Sequence, residues 1–182
     1  MKSGPLALQG ALILADPSLR GSVFQQSVLL LISHEPGAGT QGLVLNQPTD
    51  QTLGDILTAP DLKPLGDVPV YNGGPVSPGE LMLVGLRWNE VAERLESRSP
   101  LGVSGALRAQ ADGWEIRAFV GYTGWSAGQL EEEFERHSWI LTPQKKSALD
   151  GTEGTSLWRT LLRGMGPVQQ LLSDLPDDPS LN

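Results

Sequence analysis

Apolar positions along the chain fall into short runs separated by turn-forming residues. "ALILA" (11–15), "SVLLLIS" (27–33) and "GLVLN" (42–46) are bounded by Gly, Pro and Asp, which predicts three core strands before residue 50. "ELMLVGL" (80–86) predicts another. In "WEIRAFVGY" (114–122), Trp114, Ile116, Ala118, Val120 and Tyr122 alternate with Glu115, Arg117, Phe119 and Gly121, the period of a strand with one continuous apolar face. "SLWRTLLRGMG" changes period: Leu157, Trp158, Leu161 and Leu162 recur at helical spacing, Arg159 and Arg163 lie one turn apart on a polar face, and Gly164 or Gly166 ends the helix.

The intervening residues sharpen these boundaries. Asp16-Pro17 closes the first strand, and Thr52 with Asp55 forms an N-cap pair for a short helix ending near Pro60. "APDLKPLGDVP" (59–69), with three prolines, reads as an ordered loop, and "VYNGGPV" turns sharply at Asn72-Gly73-Gly74. "NEVAERLES" fits either a helix or an exposed strand, whereas "SGALRAQ" reads as a short helix ended by Gly113. Without an internal repeat, residues 1–175 are expected to form a single domain, with 176–182 a frayed acidic tail.

Composition supports one core. A chain of 182 residues buries about 70% of the surface its unfolded form exposes, so no cross-link is required. Net charge is −8 and the 13 basic residues are scattered, with Lys145-Lys146 their only adjacent pair, so the spacing builds no basic stripe and direct nucleic-acid binding is disfavoured. Absence of Cys excludes disulfides, thiolate nucleophiles and Cys-ligated metals. Gly4, Pro5, Gln9 and Gly10 interrupt the apolar N-terminus, which therefore reads as the approach to a first strand rather than a signal peptide. No apolar stretch reaches the roughly 18 to 20 residues needed to span a bilayer, and a soluble cytoplasmic protein without membrane association is expected.

Candidate chemistry is sparse. Gly37, Gly39 and Gly42 in "GAGTQG" match a dinucleotide-binding spacing, but a strand ended by Pro48 follows where that motif requires a helix, so the segment reads as a hairpin loop. His34 and Glu35 are adjacent on a strand and so point to opposite faces. With His34 and His137 the only histidines, a zinc site would need carboxylates from distant segments, and neither a metal nor a cofactor is expected. Known nucleophile motifs are missing, leaving as an enzymatic alternative a hydrolase in which His34 converges with Glu35 or Asn46.

"GYTGWSAGQLEEEFERHSWI" (121–140) is the densest segment. With Ser126 as N-cap, Gln129 completes an S-x-x-Q capping box, and Trp125 and Leu130 occupy the two positions of a hydrophobic staple. Glu131, Glu132 and Glu133 fall in the early turns, where they favour the helix dipole and repel an incoming anion. Gly128 then lies inside the first turn, a poor helix position that suggests close packing against it.

Taken in order over residues 8–166, "LILADPSL" with "FQQSVLLLISHE", then "GLVLNQP", "GGPV", "GYTGWSAGQLEEEF" with Trp139, and "LWRTLLRGMG" resemble the AlgH/YqgE family of small bacterial proteins. The middle, around residues 87–113, is shorter than the family pattern. The resemblance implies a single α+β domain with a curved, partly barrel-like, mostly antiparallel sheet flanked by helices. It implies no reaction, because the family's transcriptional-regulator label defines no activity. The expectation is therefore a non-catalytic binding or regulatory module, with a protein or small-molecule partner meeting His34, Asn46, Tyr122, Trp125 and Gln129. A regulatory role would act through a protein partner rather than direct DNA contact.

Overall fold

Strands β1 (Leu12–Ala15), β2 (Val28–Glu35) and β3 (Gly39–Val44) form an antiparallel meander, as the three apolar runs predict. The computed structural model describes residues 8–149 and 154–174. The runs are continuously apolar because both faces of the meander are covered. Leu12, Leu30 and Leu43 enter the core on one side, and Ile13, Leu29, Leu31 and Val44 enter a second cluster on the other.

β4 (Pro48–Thr52), β5 (Pro69–Asn72), β6 (Val76–Asn89), β7 (Arg94–Leu101), β8 (Glu115–Trp125) and β9 (Trp139–Thr142) complete a nine-stranded sheet of order β4-β5-β8-β3-β2-β1-β9, with β6 joining β8 and β7 joining β6. Among the described residues only β5 and β8 run parallel. The sheet curls strongly around Tyr71, Val84, Leu86, Leu95 and Phe119, which meet Leu12 and Leu30 in one core.

Among the described residues five α-helices flank this sheet. α1 (Leu53–Ile56) and α2 (Val103–Ala111) cover a cluster including Val70, Trp114 and Ile116. α3 (Gln129–Glu135) covers β3, β8 and β9 through Leu130, and α4 (Gly154–Arg163) with α5 (Pro167–Ser173) covers Leu14 and Val28. The protein is a single α+β domain built on a half-barrel. No helix among the described residues is long and apolar enough to cross a membrane.

β8 is the organising strand, and the motif glycines serve its branch point. Its first half pairs with β5 and β6, while Thr123–Trp125 pairs with β3. At the junction the Gly73 N–H donates to Val120 O (2.8 Å), and Gly73 O accepts from Val44 N–H (3.0 Å). A Cβ on Gly73 would overlap the carbonyl oxygen of Gly121, so the close approach requires glycine.

Several expectations change in detail. Residues Pro60–Leu65 of the expected loop form a 3₁₀ turn. "NEVAERLES" is a turn entering a strand, because Asn89 Oδ1 accepts from the Val91 and Ala92 N–H groups and ends β6. The chain turns after Asn72, but β5 pairs with β8 rather than with β6. β8 is buried on both faces, since Arg117 and Phe119 are as enclosed as their apolar neighbours. The Thr52/Asp55 capping box forms as expected, although the helix ends at Ile56. The segment 176–182 lies outside the described residues.

Candidate functional site

The "GYTGWSAGQLEEEF" segment forms the end of β8, a tight turn and α3. Gly128 adopts φ +78°, a left-handed conformation that an α-helix interior does not accept, so the helix begins at Gln129. The expected register, with Ser126 as N-cap, is therefore shifted. Only half of the capping box survives: the Ser126 N–H donates to Gln129 Oε1 (3.0 Å), while the Ser126 hydroxyl donates to the same oxygen (3.2 Å). Nothing lies within 4 Å of a Cβ placed on Gly128, so backbone conformation rather than close packing accounts for this glycine. Trp125 and Leu130 share one buried cluster although the helix start has moved away from staple register.

Glu133 is the centre of the segment. Its Oε2 accepts from the indole N–H groups of Trp125 (2.8 Å) and Trp139 (2.6 Å), and its Oε1 accepts from Gln129 Nε2 (2.9 Å). The two indoles meet edge to face with centroids 5.8 Å apart, and Phe24 packs edge-on against Trp139 at 5.5 Å. Buried indoles need an acceptor for their N–H, and one carboxylate here serves both. The sequence reading assigned Glu133 only to the helix dipole. The presence of two tryptophans within eight residues of one glutamate was the available signal.

The candidate residues separate across the sheet. His34 is 5% exposed on its side chain and faces α3, with Nδ1 2.8 Å from Thr40 Oγ1 and Nε2 3.7 Å from Glu131 Oε1. Glu35 lies on the opposite side, where it lines an open cleft of about 390 Å³ with Ser33, Gln41, Tyr122, Gly124 and Trp125. Asn46 is buried elsewhere: its Oδ1 accepts from the Val28 N–H (2.8 Å), and its Nδ2 donates to Gln26 O (2.9 Å) and Gly154 O (2.8 Å). Tyr122 and Trp125 thus border one cleft, whereas His34, Asn46 and Gln129 do not. The hydrolase geometry, with His34 converging on Glu35 or Asn46, is not formed.

Sequence reasoning missed Ser33 and Gln41, which pair across β2 and β3 at the cleft and lie in quoted motifs without being singled out there. Among the described residues no group of three His, Asp or Glu side chains could hold a metal ion. The resolved carboxyl shifts lie away from the cleft. Glu96 on β7 is held below its ordinary value chiefly by a hydrogen bond from Asn89 and then by Arg87. Asp55 is lowered by the Thr52 backbone N–H and then its hydroxyl, Glu90 by Lys146, and Asp174 by Arg163.

The AlgH-like family model matches residues 12–169. This chain belongs to the AlgH-like family. It is 32% identical to a UPF0301 protein of Parabacteroides distasonis over 97% of this chain and 92% of that protein, and 35% identical to UPF0301 protein SCO2948 of Streptomyces coelicolor over 97% and 96%. The solution structure of the AlgH protein from Pseudomonas aeruginosa covers 97% of this AlgH-like chain and 98% of its own at TM-score 0.64 and 26% identity. The crystal structure of DIP2367 from Corynebacterium diphtheriae covers 96% and 95% at TM-score 0.68; at 24% identity it shows the shared fold alone. None of these names states an activity.

Proposed function

We propose that this AlgH-like chain is a non-catalytic cytoplasmic binding module whose ligand or protein partner meets the cleft lined by β2, β3 and β8. One observation carries the reading: the most functional-looking polar groups of the quoted motifs hold the fold together. Glu133 accepts two indole N–H groups and one amide, His34 meets Thr40, and Asn46 joins three backbone groups. The cleft offers instead the hydroxyls of Ser33 and Tyr122, the Gln41 amide and the Glu35 carboxylate. This is a surface for hydrogen-bonded recognition; Thr40, which also lines it, is 4% exposed and has its hydroxyl engaged with His34 Nδ1 at 2.8 Å. Regulation through a bound protein would use the same surface.

The test is an NMR screen of the ¹⁵N-labelled protein against a metabolite mixture. Saturable shifts are expected at residues 33–41 and 122–125, lost in the Glu35→Gln/Gln41→Ala double variant, with the metabolite unchanged. Shifts confined to other surfaces, or turnover of a metabolite that His34→Ala abolishes, would refute the proposal.

A further inference from the structure

A second concave surface lies along β7, which among the described residues pairs only with β6. Its edge faces the segment before β1 across a groove of about 870 Å³, lined in part by Gln9, Arg87, Arg94, Arg98, Trp114 and Gln144. Gln144 bridges the gap: its Oε1 accepts from the Leu95 N–H (2.5 Å), and its Nε2 donates to Gly10 O.

The hairpin register concentrates positive charge here. Gly85 pairs with Arg98, Arg87 with Glu96 and Asn89 with Arg94, and strand alternation places these side chains on one face. Gly85 leaves room for Trp114, whose ring lies 3.5 Å from where a Cβ would stand. The guanidinium carbons of Arg98 and Arg87 lie 4.2 and 4.4 Å from the Trp114 ring centroid. Glu96 is the one carboxylate between them, accepting from Arg87 (2.9 Å) and Asn89 (2.8 Å). Among the described residues Arg98 has no carboxylate partner. In a chain of 21 acidic and 13 basic residues, grouping three arginines around a single glutamate opposes the overall charge and creates local repulsion.

We propose that this groove binds a small polyanion carrying phosphate groups, held by Arg87, Arg94 and Arg98. Guanidinium groups present planar forked donors matched to phosphate oxygens, and stacking on Trp114 fixes two of them before a ligand arrives. That preorganisation reduces the ordering cost of binding. Trp114 is only 5% exposed, so it offers no platform for a nucleobase, and recognition rests on charge. The groove volume falls in the range of about 300 to 1,000 Å³ found for small-molecule sites. The site is independent of the cleft proposed above.

The experiment is calorimetric titration of the full chain with tripolyphosphate, with citrate and a Glu-rich peptide as comparison ligands. Saturable one-to-one binding of tripolyphosphate is expected, weakening on addition of salt and weakening about tenfold or more in Arg98→Ala and in Arg94→Ala. Arg98→Lys, which retains charge without the fork, should fall between wild type and Arg98→Ala. Arg136→Ala, a control at the C-terminal end of α3, should bind as wild type does. Circular dichroism confirms that each variant is folded, and Arg94→Ala supplies the test should Arg98→Ala fail to fold. Undiminished affinity in the arginine variants, absence of saturation, or equal or tighter binding of citrate or peptide would each overturn the assignment.

Discussion

The β8-α3-β9 segment and the β6-β7 groove allocate charge in opposite ways. In the first, a carboxylate is enclosed by donors, with Glu133 taking both indole N–H groups and Gln129. In the second, three arginines lie around one carboxylate that Arg87 hydrogen-bonds, and among the described residues Arg98 has no carboxylate partner. The motif-rich region is chemically closed, while the motif-poor hairpin exposes charge that its own fold does not neutralise. Density of distinctive residues here marks the demands of folding, and unbalanced charge is the better guide to an outside partner.

The largest test of this contrast is Glu133→Ala. Two buried indole N–H groups would lose their acceptor, at about 1 to 2 kcal/mol each, so urea unfolding should show a loss of about 2 to 4 kcal/mol. Glu133→Gln keeps an acceptor and should lose about half as much. A change below roughly 0.5 kcal/mol for Glu133→Ala would make the closed region an ordinary surface.

Gly128→Ala comes next, with an expected loss of about 1 to 2 kcal/mol from the left-handed backbone alone. Gly128→Asn should be milder because Asn tolerates that conformation. Equal losses in Ala and Asn would point to packing rather than φ.

Arg98→Ala should change stability by less than about 1 kcal/mol, because the lost stacking on Trp114 is offset by relief of repulsion from Arg87 and Arg94. A loss as large as that of Glu133→Ala would erase the distinction between the two regions.

The smallest effect concerns Glu96. Its folded carboxyl titrates below its ordinary value, so its stabilising contribution is full at neutral pH and is lost as pH falls through the folded value. An NMR titration should show that value rising more in Asn89→Ala than in Arg87→Ala. The reverse order would make Arg87 the main partner of Glu96.

Legibility in the sequence followed burial. β1, β2 and β3 were readable because both faces are covered and the apolar runs are continuous. β8 was readable as a strand but not as a doubly buried one, because alternation assigns Arg117 to solvent. Its side chain instead meets Glu115 and lies over the Tyr71 ring at 4.8 Å. β7 was ambiguous because "RLESRSPL" is an edge strand with little to bury. The arginine groove was invisible because Arg87 and Arg98 are eleven positions apart, and hairpin register together with Trp114 from another segment makes them neighbours. Of the five candidate surface residues, Tyr122 and Trp125 border the cleft. His34, Asn46 and Gln129 are polar residues in the same motifs whose orientation no spacing rule specifies.

Asn46 carries a consequence for how the chain is made. Its side chain holds the start of β2 through Val28 and Gln26, and its amide fills its remaining bond by donating to Gly154, a residue 108 positions later. On the ribosome the first three strands would emerge long before that carbonyl exists, leaving the Asn46 site provisional through most of synthesis. The arrival of α4 then fastens the β2 start to a segment made much later, and a chain cut short before residue 154 would keep an unfinished polar joint at Asn46.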